Sequence, residues 1–113
     1  MRAWRMLEVD GRLQPRLDEV ARPEPGPGQL LVRVRAAGLN RGELIAGHGL
    51  HGKGGGAKPV GGEAAGEVVA VGDGVVGYVP GDRVFGRCPG AFAEYALMDL
   101  REAMLVPERL DFR

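Results

Sequence analysis

Leu30-Leu31-Val32-Arg33-Val34-Arg35-Ala36-Ala37 is the stretch whose reading decides the fold. Valines and arginines alternate in it with a period of two, which is the period of a strand and not of a helix. Alternation sets Leu31, Arg33 and Arg35 on one face and Leu30, Val32, Val34 and Ala36 on the other, the pattern of a half-buried strand. Upstream, Arg22-Pro23-Glu24-Pro25-Gly26-Pro27-Gly28 holds three prolines, so it joins neither a helix nor a central strand and reads as an extended connector. Before that connector, residues 3–9 form a first strand candidate, Asp10-Gly11 is a two-residue hairpin signal, and residues 13–20 return.

Downstream, Asn40-Arg41-Gly42-Glu43 is an N-x-x-E capping box in front of Leu44-Ile45-Ala46, which predicts one or two helical turns. Residues 47–62 hold eight glycines, two histidines, two lysines and no carboxylate, so they are expected to be a mobile, locally basic loop. Further strands are predicted over 67–72, 75–79, 82–86, 91–98 and 104–106. Asp73-Gly74, Pro80-Gly81 and Pro89-Gly90 supply the turns between them, and Pro80-Gly81 suits the central pair of a type II turn. At least six short strands, a turn signal every ten residues or so and almost no helix argue for a mainly β domain, a closed or partly open barrel with one or two short helices. No internal repeat is present.

Composition narrows the function classes. A chain of 113 residues is one domain's worth, and 44% apolar with 27% charged residues suits a small core and not a disordered chain. Fifteen basic residues balance fifteen acidic ones, which removes the charge expected of a nucleic-acid binder. Cys88 is the only cysteine, so the chain is stapled by neither an internal disulfide nor a thiolate zinc site and reads as intracellular. Arg2, Arg5 and Glu8 interrupt the N-terminal segment, and nowhere do about 18 apolar residues run together; no membrane association is expected, and the cytoplasm is the default compartment.

Several strings imitate catalytic motifs. Gly47-His48-Gly49-Leu50-His51-Gly52 spells the dinucleotide fingerprint, but that fingerprint works only between a strand and a helix N-terminus, and Lys53-Gly54-Gly55-Gly56 follows here. The same stretch satisfies G-x-x-x-x-G-K, with Gly54 where a magnesium-binding hydroxyl is required. His48 and His51 with Glu63 or Cys88 would make a metal site without supporting spacing, so solvated histidines are the simpler reading. Cys88 beside Arg87 is either a thiol of lowered pKa or an inert small hydrophobe, and the second is the usual state of a lone cysteine near a turn.

Four segments taken together carry a resemblance: PEPGPGQLLVRVRAAGLNRGEL (23–44), PVGGEAAGEVVAVGDGV (59–75), VPGDRVFG (79–86) and GAFAEYA (90–96). In this order they resemble the N-terminal GroES-like catalytic domain of the medium-chain dehydrogenase/reductase superfamily, over nearly the whole chain. Zinc alcohol dehydrogenases of that superfamily place a cysteine ligand where Asn40 stands and a histidine ligand where Gly62 stands, and their four-cysteine lobe is missing, so the resemblance implies a zinc-free member. Gly38-Leu39-Asn40-Arg41-Gly42-Glu43 is similar to the Gly-x-Asn-Arg-x-Asp pattern of the branch containing quinone oxidoreductases and zeta-crystallin. The resemblance places Asn40 near the nicotinamide ribose and substrate, with Arg41 beside it, while Asn40 is equally read as the cap of the helical turn. A tyrosine of that pocket is replaced by His51, which either donates a hydrogen bond to a carbonyl or is solvated.

The expected activity is reduction of quinones or conjugated enones by NADPH, because such acceptors take hydride into a delocalised anion without a Lewis acid. The superfamily's Rossmann cofactor domain is expected to be absent from these 113 residues, which would leave the chain inactive alone and expose an apolar face for that domain or for self-association. The rival reading is a non-enzymatic binding or oligomerisation module of the co-chaperonin kind. A partner-docking loop would want an apolar anchor, and residues 47–58 offer only Leu50.

Overall fold

The computed structural model describes residues 1–44 and 57–113. Eight strands follow one another: β1 (Arg2–Val9), β2 (Arg12–Glu19), β3 (Gln29–Ala37), β4 (Lys58–Pro59), β5 (Glu63–Val71), β6 (Arg83–Arg87), β7 (Tyr95–Asp99) and β8 (Met104–Leu105). Helical structure among the described residues is confined to two 3-10 turns, Arg41–Leu44 and Leu100–Glu102. The mainly β expectation is thus met.

The strands form two antiparallel sheets, in the orders β2-β1-β4 and β7-β3-β5-β6-β8. β3, the strand of the alternating sequence, lies inside the larger sheet and pairs with both β5 and β7. The sheets meet where Ala3 bridges Ala93 and the Trp4 N–H donates to the Phe92 carbonyl at 2.7 Å. β6 and β7, separated in the ladder by two strands, approach each other, so the larger sheet curls into a partly open barrel. Its interior is filled by Leu30, Val32, Ala64, Val68, Val84, Cys88, Ala91, Ala96 and Met98, all buried. Ala64, Gly66 and Val68 follow the strand period along β5 and turn to that interior.

The hairpin joining β1 to β2 pairs Val9 with Arg12, and Asp10 and Gly11 between them have φ of 50° and 76°. Two consecutive positive φ values are what a two-residue hairpin turn requires, which is why Asp-Gly stands there. Gly81 has φ of 99° and the Asp82 N–H donates to the Val79 carbonyl at 3.1 Å, so Pro80-Gly81 is the turn pair expected of it.

Four local expectations are corrected. Residues 75–79 are not a strand: Gly77 turns to a φ of 92°, Val76 is 82% exposed, and only Val75 and Tyr78 pack on the core. The ladder neighbour of β5 at this point is instead the turn after them, through Gly81 N–H to the Val68 carbonyl. β5 starts at Glu63 and not at 67, because Ala64, Ala65 and Gly66 are strand residues chosen for close approach and not for propensity. Lys58 and Pro59, expected within the loop, pair with Met6 and Arg5 on the edge of the smaller sheet. Leu31 is buried although strict alternation groups it with the arginines, and a register shift between Leu31 and Val32 breaks the alternation there.

Candidate functional site

The end of β3 and the start of β5 are held side by side, and the polar residues of interest sit where they stop being a ladder. Ala37 is opposite Ala64, and the Gly38 N–H donates to the Glu63 carbonyl oxygen at 3.2 Å. The chain then passes through Leu39 and Asn40 into the Arg41–Leu44 turn, so Asn40 does stand immediately before a helical turn, as the capping box implies. Both Asn40 and Arg41 are exposed. The strand start is fixed from the other side, because Phe92, Gly90 and Cys88 N–H groups donate to the carbonyls of Val60, Gly61 and Gly62 at 3.0, 3.1 and 2.8 Å. Gly61 has φ of 104°, and a Cβ there would stand 2.8 Å from the Phe92 nitrogen, so this position needs glycine.

Asn40 and Glu63 are brought together by this arrangement: Asn40 Nδ2 donates to Glu63 Oε1 at 3.4 Å. Gly38 makes the contact possible, since the Glu63 carboxyl group occupies the space a Cβ on residue 38 would fill. Two clefts flank the pair. One of about 620 Å³ runs between the β1–β2 hairpin and the end of β3, with Trp4, Leu17, Leu39 and Phe92 on its walls. The other, of about 470 Å³, is lined by Gly38, Glu63, Ala64, Phe85, Arg87 and Met104. Asn40 follows Leu39 of the first and touches Glu63 of the second.

His51, His48 and the whole glycine-rich string 47–52 lie outside the described residues. Cys88 is fully buried and its thiol donates to the Leu97 carbonyl at 3.3 Å. Burial pushes that thiol up to about 11, so of its two sequence readings the inert hydrophobe is the one realised. Among the described residues no three His, Cys, Asp or Glu side chains gather as a metal ion would need. Sequence reasoning weighed Glu63 only as a metal ligand and did not pair it with Asn40; the missed signal was Gly38, a glycine at a strand end with no turn to make. It also missed Trp4, Leu17 and Phe92 as one apolar wall, because three separate segments supply them.

Residues 26–108 match the family described as the alcohol dehydrogenase GroES-like domain. The chain belongs to that family. This GroES-like domain is 36% identical to the quinone oxidoreductase of Homo sapiens over all of its length, and 37% identical to the pikromycin polyketide synthase component PikAII of Streptomyces venezuelae over 96% of it. It spans 36% of the first relative and 3% of the second. Among solved structures, a mycobacterial protein complexed with NADPH superposes on 99% of the GroES-like domain, with a TM-score of 0.83 at 28% identity, using 35% of its own chain. An alcohol dehydrogenase superfamily protein from Novosphingobium aromaticivorans covers all of it, with a TM-score of 0.83 at 34% identity and 36% of its own chain. The expected kinship with medium-chain oxidoreductases, quinone oxidoreductases among them, is therefore established.

Proposed function

We propose that this GroES-like domain is the substrate half of a zinc-independent oxidoreductase that reduces quinones or conjugated enones with NADPH, and that a Rossmann domain completes it. The observation that carries the reading is the Asn40–Glu63 pair, whose Glu63 lines one of the two clefts, with an amide at the position the resemblance gives to a zinc-binding cysteine. Asn40 and Gly62 supply no thiolate and no imidazole, so the donor set at this point does not fit a catalytic zinc ion and no step runs through one. Kinship with human quinone oxidoreductase and with a mycobacterial protein complexed with NADPH supports the acceptor class and the cofactor.

NADPH, when bound, supplies the hydride. The chain's own part is orientation and exclusion of water. Asn40, with Arg41 and His51 assigned to the same pocket, hydrogen-bonds ligand hydroxyl or carbonyl groups. Phe85 and Met104, or Trp4, Leu39 and Phe92 on the opposite side, offer apolar surface to a planar ring. Hydride addition to a quinone or enone spreads negative charge over a conjugated system, so hydrogen-bond donors suffice where an alkoxide would demand a metal. Phe85, Met104 and Leu105 leave apolar surface at the β6–β8 edge, the face we assign to the Rossmann half. The reading places the protein in the cytoplasm with its reductant. No helix among the described residues is long and apolar enough to cross a membrane.

NADPH oxidation tests the proposal, in the protein carrying its cofactor domain or in a chimaera where residues 1–113 replace the matching part of human quinone oxidoreductase. The expected result is turnover with a soluble benzoquinone that survives a zinc chelator, while the 113-residue chain alone shows no saturable NADPH binding. Turnover of simple aldehydes that needs added zinc would overturn the reading, as would micromolar NADPH binding by the chain alone.

A further inference from the structure

We infer that Arg83 is a positioning residue: its guanidinium staples the turn at residues 107–110 to β6 and so fixes the direction in which the chain leaves the β6–β8 edge. The inference deepens the function proposed above and rests on it in taking the cofactor domain to continue the chain past residue 113. Left to itself, the segment 107–113 has little to order it. It belongs to no strand, and of its seven residues Phe112 alone is half-buried, the others being exposed. Such a stretch frays unless something ties its backbone down.

Arg83 is that tie. Pro107 to Leu110 is a turn closed by the Leu110 N–H donating to the Pro107 carbonyl at 2.9 Å. The two arms of the guanidinium take hold of its two ends: Nη1 donates to the Leu110 carbonyl, and Nη2 to the Pro107 carbonyl at 3.1 Å. The Pro107 oxygen thus receives two donors, which its two lone pairs allow. Beyond the turn, the Phe112 ring lies with its centroid 5.7 Å from the guanidinium carbon, within cation–π range. The anchor below is firm. Arg83 stands in β6 opposite Glu67 of β5, and on its other side its carbonyl accepts from the Val106 N–H at 2.9 Å. Glu67 is a ready carboxylate partner, yet its ion pair, at 3.9 Å, is with Arg35, and Arg83 turns to uncharged carbonyls instead. A planar fork with two separate nitrogens can span both ends of a turn, and a lysine ammonium cannot. Val84, next in the strand, faces Leu105, so the clasp adjoins the exposed Met104 and Leu105 that we assign to the Rossmann half.

Amide hydrogen exchange in the 113-residue chain tests the clasp, with a reporter on each side of it. Leu110 N–H closes the turn, while Val106 N–H bonds only the backbone of residue 83 and reports the strand edge. In Arg83→Ala, Leu110 should exchange roughly tenfold faster, the worth of about one hydrogen bond to a charged group, with Val106 unchanged. Arg83→Lys keeps the charge without the fork and should resemble Arg83→Ala. Phe112→Leu, which alters no strand residue, should speed Leu110 by about threefold and keeps the test open should Arg83→Ala unfold. An unmoved Leu110, a full rescue by lysine, or Val106 loosening together with Leu110 overturns the clasp. In the protein with its cofactor domain, Arg83→Ala should raise the KM for NADPH severalfold at unchanged kcat, since a domain out of place part of the time binds only in proportion to the fraction in place. Unchanged KM beside a loosened Leu110, or a fall in kcat alone, overturns the positioning role. Wild-type protein without NADPH-driven quinone turnover refutes the proposed function instead, and the exchange measurement still decides the clasp.

Discussion

Gly66→Ala probes how closely the larger sheet is assembled at its centre. Gly66 sits in β5 opposite Val34 of β3 and Val84 of β6, so the strand is held on both edges. A Cβ added there would press on the Arg33 carbonyl oxygen and stand 2.7 Å from Val32 Cγ1 and 2.9 Å from the Arg33 carbonyl carbon. Carbon atoms in contact prefer about 3.5–4.0 Å, so β3 and β5 must separate by roughly 1 Å. Overpacking of a core costs about 1–3 kcal/mol, and the upper end applies because strand backbone, not a flexible side chain, has to yield. Against a total stability of about 5–15 kcal/mol this is a large share. At about 4 °C per kcal/mol for a domain of this size, Tm should fall by roughly 12 °C. Urea unfolding followed by far-UV circular dichroism should show a lower midpoint with an unchanged slope. The matched control is Gly74→Ala, in a turn with nothing within 4 Å but a φ of 77°, where backbone strain alone predicts a loss of about 1 kcal/mol. A loss below about 0.5 kcal/mol at Gly66, or equal losses at the two sites, would refute the close-approach argument.

Two further outcomes follow from titrating groups. Cys88 should resist alkylation at pH 8 in the native protein and react on unfolding; because burial raises its folded value from 9.0 to about 11, stability should be intact below pH 9 and decline as pH rises through about 11, a loss that Cys88→Ala removes. Glu94 accepts from the Arg2 backbone N–H at 2.6 Å, next to the Ala3–Ala93 bridge that joins the two sheets, and this bond first, with the Arg2 side chain second, holds its carboxyl below the ordinary 4.5. Its contribution is present above pH 4.5 and lost as pH falls through the lower folded value, so Glu94→Gln should flatten the acid side of a midpoint-against-pH curve; an unchanged acid limb would count against the assignment.

The strands and turns that obey local rules were legible. Period-two alternation found β3, Asp10-Gly11 and Pro80-Gly81 announced their turns through the positive φ they permit, and three prolines ruled out regular structure over 22–28. The failures share one cause. Residues 75–79 carry strand propensity but have no free edge to pair with, because the turn at Gly81 and Asp82 already occupies that side of β5. Residues 63–66 lack propensity and are strand nonetheless, since small residues let β3 and β6 close on them. The candidate site was half legible: Asn40 and Arg41 came from a motif, whereas the contact of Glu63 with Asn40 arises only when β5 is laid beside β3.

The sequence by itself determined the class of the domain, its kinship and the presence of Asn and Gly at positions 40 and 62, because these depend on residue identity and short-range pattern. Only the tertiary structure decided which of the carboxylates meets Asn40, that Cys88 is sealed in the core, and that Trp4, Leu17 and Phe92 share one cleft wall. Those are contacts between residues far apart in the chain, set by sheet register, and register is a property of paired strands that no single strand contains.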